Sequence, residues 1–133
     1  MGDIIRPVRI RGVDAKGKRR FPVLTVRALV DSGSQRTVIP QVLADVLDGH
    51  VLRTFDKVEG ALRDVMATWM TLKAPDCDWR GIHAVISDEL AGRAGPEADI
   101  ILGQDYLQRS RAAILLSHRR DDEGVACRTE GEE

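Results

Sequence analysis

The chain has 133 residues, room for one domain and little more. Hydrophobic residues make up 43% and charged residues 31%, a soluble globular composition, and with 4% aromatics the core must be mostly Val, Leu, Ile and Ala. The net charge of −1, with one short basic run at Lys16–Arg20, argues against general nucleic-acid binding, which needs a phosphate-neutralising surface. The N-terminus lacks the apolar core of a signal peptide, and no run approaches the roughly 20 apolar residues of a membrane span. Cys77 and Cys127 stand alone, so reduced thiols in a cytoplasm are the expectation, and Met1 with free termini leans toward a stand-alone protein.

In chain order, "IIRPVRIRGV" alternates partly and carries Pro7, which suits an edge strand. "DAKGKR" is a polar turn, and "RFPVLTVRALV" is a second β-branched run that leads into Asp31. After Asp31-Ser32-Gly33-Ser34, "TVI" is a short strand. Val42, Leu43, Val46 and Leu47 then fall at helical spacing, with Pro40 suited to the start and Gly49 to the stop, which predicts a helix over 40–48. Residues 50–73 read as a long hairpin turning at Glu59-Gly60. "APDCD" is a turn and "WRGIHAVIS" a strand. "DELAGRAGPEAD" is a loop with one helical turn at most, and "IILG" is a short apolar strand. "QDYLQRS" is a helical turn, "AAILLS" a last strand, and residues 119–133 a polar tail expected to fray. Many short strands and one or two short helices give an all-β fold, sandwich or barrel-like.

The chemistry centres on Asp31. Ala28-Leu29-Val30 before the turn and Thr37-Val38-Ile39 after it imply a turn buried between strands. A buried carboxylate is costly unless it is hydrogen-bonded or shares its charge. "ALVDSGSQRTVI" resembles the active-site segment of retropepsin-like aspartic proteases. Ile101-Leu102-Gly103-Gln104-Asp105-Tyr106-Leu107 matches their second hallmark, about 70 residues later. The wording is similar to BEL/Pao-type retrotransposon proteases and to free-standing bacterial proteins of the same clan, over roughly residues 20–118.

The resemblance implies a single-domain closed β-barrel over residues 1–118, working as a homodimer. Its aspartic endopeptidase chemistry needs no metal and no cofactor, and takes a protein or peptide substrate bound in extended form. Asp31 from each subunit would form a dyad that shares a proton and activates water. Ser32 would lock the two loops across the dimer, and Gly33 would bring its N–H to the carboxylate. Ser34 would donate to an outer carboxylate oxygen and move the working range toward acid. Ile101, Leu102 and Gly103 would be structural, and the turn at Val58, Glu59, Gly60 and Ala61 would be a flap. Gln104 stands where retroviral enzymes often carry Arg, so no Arg-based dimer contact is implied.

Plainer readings compete. Asp31 in an ordinary surface turn is one, and a catalytically inactive dimeric binding module on the same fold is another. His50, His83 and His118 are scattered, and Cys77 with His83 has no second pair at zinc spacing. Trp69 and Trp79 read as packing residues, with an apolar subsite as the alternative. "KGKRR" reads as a solvated turn, and Asp105 as a helix-start or charge-pair residue.

Overall fold

A computed structural model describes residues 4–58 and 60–110. The predicted strand over 112–117, the tail 119–133, Cys127, His118 and the turn residue Glu59 therefore lie outside the described residues.

Among the described residues are seven strands: β1 (Ile4–Gly12), β2 (Leu24–Val30), β3 (Val38–Ile39), β4 (Val51–Val58), β5 (Ala61–Lys73), β6 (Arg80–Ile86) and β7 (Ile100–Leu102). The sheet order is β1-β2-β7-β3-β6-β5-β4, and β1 also pairs with β5. That pairing closes six strands into a barrel and leaves β4 outside the ring, attached among the described residues to β5 alone. Pro7 sits opposite Arg27 of β2, and the β5 pairing begins only at Arg9. Its missing N–H therefore falls where β1 has one neighbour, as an edge-strand proline requires.

Three short helices complete the described chain, against the one or two expected: α1 (Gln41–Leu47), α2 (Asp88–Gly92) and α3 (Gln104–Ser110). α2 is the one helical turn allowed within "DELAGRAGPEAD", and it runs to five residues. Its start is capped, since the Ser87 hydroxyl accepts from the Leu90 N–H at 3.2 Å, with Asp88 and Glu89 in the first turn. The left-handed residue that ends α1 is Asp48 (φ 53°), one position before the predicted Gly49.

Burial explains why the strands near Asp31 read as unbroken apolar runs. Ala28, Ile39, Ala84, Ile100 and Leu102 point into the barrel core with Ile10, Met70, Leu72 and Tyr106. The intervening Leu29, Val38, Val85 and Ile101 form a second cluster on the other face, with Ala91, Ala94 and Ala98 from α2 and the loop after it. These strands are covered on both sides, so alternation disappears. Tyr106 ties α3 to the barrel: its hydroxyl accepts from the Ala74 N–H at 3.1 Å and donates to the Asp78 carbonyl at 3.3 Å.

Cys77 is buried at 3% exposure. The basic run is a surface turn. Asp14 accepts from the Lys16 and Lys18 N–H groups at 2.9 and 2.8 Å, and these bonds, Lys18's foremost, lower its pKa. No described helix is long and apolar enough to cross a membrane.

Asp99 aligns the two strands that bracket the Asp31 turn. Its N–H donates to the Arg27 carbonyl at 2.7 Å, and its carboxylate accepts from the Arg27 N–H at 2.8 Å. That backbone bond is the largest cause of a lowered Asp99 pKa, ahead of the Arg27 guanidinium and against the effect of burial. A lowered folded-state pKa stabilises above the ordinary carboxylate range and is lost as pH falls through the folded value. Asp99→Asn should therefore cost about 0.5–1 kcal/mol near neutrality, after discounting for solvent screening. The gap to wild type should close in acid, as urea midpoints measured across pH will show.

Candidate active site

β2 ends at Val30, and the next residue is held rather than loose. The Asp31 N–H donates to the Leu102 carbonyl at 3.0 Å, which extends the β2–β7 pairing by one step. The Ser34 N–H then donates to the Asp31 carbonyl at 3.1 Å and closes the turn. The carboxylate accepts from the Gly33 N–H at 2.9 Å. A Cβ on Gly33 would sit 3.3 Å from Asp31 Oδ1, so a small residue suits this approach.

Two expectations about the turn are corrected. It is not buried in the single chain: Asp31 is half-buried, and Ser32, Gly33 and Gln35 are exposed. The apolar flanks turn into the core and the second cluster, while the turn itself projects from the barrel. Nor does Ser34 donate to the Asp31 carboxylate. Its one hydroxyl proton goes to the Arg36 carbonyl at 2.7 Å.

The loop is seated on the start of α3. The Gln104 N–H donates to the Ser34 carbonyl at 2.8 Å, and the Asp105 N–H to the Gln35 carbonyl at 3.2 Å. The Gln104 side chain donates to the Ser32 carbonyl at 2.8 Å. Asp105 is a charge-pair and anchoring residue. Its carboxylate accepts from the Thr37 N–H at 2.9 Å and the Thr37 hydroxyl at 2.8 Å, and pairs with Arg36 Nε at 3.8 Å. Thr37 is fully buried, and its oxygen also accepts from the Gly103 N–H at 3.2 Å. Ile101 and Leu102 lie in β7, and Gly103 stands where backbones nearly touch. A Cβ there would meet the Arg36 carbonyl carbon at 2.5 Å and the Ser34 carbonyl oxygen at 2.9 Å.

Asp31 opens onto a groove of about 1010 Å³. Gly33, Ser34, Leu29 and Ile101 line its floor, and Phe55, Lys57, Gly60 and Leu62 of the β4–β5 hairpin line it opposite. The hairpin turns where expected: Val58 pairs with Ala61, and Gly60 takes the left-handed conformation at φ 83°. Phe55 and Leu62 are each 70% exposed.

Arg36, Thr37 and Asp56 were not singled out from sequence, although all three act around the site. Thr37 and Asp105 meet across 68 residues, and Arg36 pairs with Asp56 of β4. Only the position of Asp105 beside the second glycine gave a signal. Trp69 and Trp79 line no part of the groove. Trp69 stacks on His83 at 5.5 Å and meets His50 edge-on at 4.7 Å, while Arg11 lies 4.7 Å over the Trp79 ring. No group of metal-ligating side chains occurs among the described residues.

Residues 7–106 match the family model described as aspartyl protease. The chain belongs to the aspartyl protease family. The resemblance read from the Asp31 turn and from Ile101-Leu102-Gly103 thus holds at the family level. Similar solved structures include EIAV protease complexed with the inhibitor HBY-793, at 18% identity and TM-score 0.48, covering 80% of this chain and 86% of that one. The retroviral protease-like domain of Ddi1 from Leishmania major is 17% identical with TM-score 0.48, covering 100% of this chain and 99% of that one. No curated protein compared with the chain matches it.

Thr37→Val keeps the shape but removes the hydroxyl shared by Asp105 and Gly103. It should lower stability by about 1–3 kcal/mol, the cost of leaving buried polar groups unpaired. Equilibrium urea unfolding will read the loss.

Proposed function

We propose that the protein is an aspartic endopeptidase whose active form is a homodimer, with Asp31 from each subunit forming the catalytic pair. The observation that carries this reading is the placement of Asp31. In a chain of the aspartyl protease family, its carboxylate is half-exposed, held by the Gly33 N–H, and set in the floor of a hairpin-covered groove.

The chemistry follows from two carboxylates brought close. They cannot both ionise easily, so the pair holds one proton. The ionised member takes a proton from water, which attacks the scissile carbonyl, while the protonated member hydrogen-bonds the carbonyl oxygen. The pair then returns a proton to the departing amine. Ser32 and Gly33 are exposed at the face where a second copy would approach, and Ser32 would bond across it. The hairpin around Val58, Glu59, Gly60 and Ala61 serves as the flap. An extended peptide lies between floor and flap, its backbone pairing as an added strand and its side chains against Leu29, Val38, Val85 and Ile101. The reaction uses no metal or cofactor.

Asp31→Asn should lower kcat/KM on a cleaved peptide by about 10⁴-fold or more, the upper range for loss of an acid–base group. Circular dichroism and sedimentation should stay as in wild type. A wild-type chain that dimerises but cleaves no peptide library between acid and neutral pH would favour the binding-module reading. Sedimentation as a monomer under conditions of active cleavage would rule out the shared pair.

A further inference from the structure

The β4–β5 hairpin leaves the barrel with little backbone support. β5 pairs with β6 only from Ala67 onward and with β1 only from Met70 onward. Among the described residues, β5 has only β4 beside it from Ala61 to Met66. A two-stranded ribbon of this kind is marginal on its own. Yet the groove is bounded by this ribbon, so something must set its height above Asp31.

Arg36 is placed to do so. It lies five residues after Asp31, in the loop seated on α3, and its guanidinium spans three elements. Nη1 donates to the Asp56 carboxylate on β4, Nη2 donates to the His83 carbonyl on β6, and Nε faces the Asp105 carboxylate at 3.8 Å. The other Asp56 oxygen accepts from the Lys57 N–H at 2.9 Å, so the carboxylate is fixed to its own strand. Asp105 is in turn fixed to Thr37. The Arg36 and Asp56 side chains are only 26% and 19% exposed, and both line the groove. A pair so sheltered is screened less than a surface pair, and removing one partner strands the other in a part-buried site. The planar fork of Arg suits a junction with several acceptors at fixed angles, which a Lys ammonium would not reproduce.

We propose that the Arg36–Asp56 pair is a latch that ties the hairpin to the Asp31 loop and fixes the hairpin's height over the groove. Arg36 is thus a positioning residue: it acts on the groove through the hairpin and the loop, not on a reacting atom. Lifting the hairpin to admit a ligand breaks this pair first, and Arg36 stays anchored to the barrel side through His83 and Asp105. The latch stands whether or not the groove cleaves peptides.

Amide hydrogen exchange on the full chain without ligand tests it. Asp56→Ala should speed exchange of the paired amides between Arg53 and Met66 by about five- to tenfold, with β1, β2 and β6 unchanged. Asp56→Asn keeps an acceptor without the charge and should fall between Asp56→Ala and wild type. Arg36→Lys should resemble Asp56→Asn. Unchanged hairpin exchange in Asp56→Ala would overturn the latch, and so would equal acceleration throughout the barrel, which marks general destabilisation. The exchange pattern in a chain that cleaves no peptide would keep the latch and count against the protease reading. Normal exchange in a chain that cleaves would do the reverse.

Discussion

The site depends on one buried hydroxyl. Thr37 Oγ1 donates to the Asp105 carboxylate and accepts from the Gly103 N–H, so one atom joins the end of the Asp31 loop to both the end of β7 and the start of α3. The same carboxylate takes the Thr37 N–H and faces Arg36. Full burial of Thr37 keeps water from competing for these bonds. With the loop pinned there and at the Leu102 carbonyl, Asp31 has little freedom left. Preorganisation of this kind is what the proposed chemistry, in which Asp31 meets a water and a carbonyl in one geometry, would require.

The second constraint is the two-faced burial of the strands around the loop. Ala28, Ile100 and Leu102 fill the barrel, while Leu29 and Ile101 turn to the groove side. One short strand therefore supplies core and groove floor together. A change at Leu29 or Ile101 reshapes the groove without entering the barrel, whereas a change at Ala28 or Ile100 does the opposite. The barrel interior and the groove floor are thus a single step apart along the chain.

Much of this was legible in the sequence. Strand identities followed from β-branched runs, α1 from the spacing of Val42, Leu43, Val46 and Leu47, and the hairpin from Gly60. The carboxylate-bearing turn and the second glycine motif carried the family. What was not legible is non-local or small. The β1–β5 pairing that closes the ring joins residues about 60 apart and leaves no local mark. Helix α2 is five residues long, too short for periodicity, although Ser87 and the acids after it were a cap signal. The apolar flanks of Asp31 suggested a buried turn, because flank composition reports where strands go and not where the turn between them projects. The resemblance assigns the Ser34 hydroxyl to the carboxylate, whereas the Arg36 carbonyl takes its proton. The ion pair of Arg36 with Asp56 depends on the height of a hairpin, which no spacing rule encodes.

β4 outside the ring has a consequence for how such a chain can change over time. The strand that bounds the groove opposite Asp31 shares no ladder with the six strands of the barrel except through β5. Its exposed Phe55, and the equally exposed Leu62 on β5, contribute little to the core. Away from Asp56, substitutions and small insertions there should cost the fold little, so that wall of the groove can vary while the scaffold stays fixed. The half of the groove made by the barrel has no such licence. A lineage built on this plan would therefore diversify on one wall of its groove and remain conservative on the other.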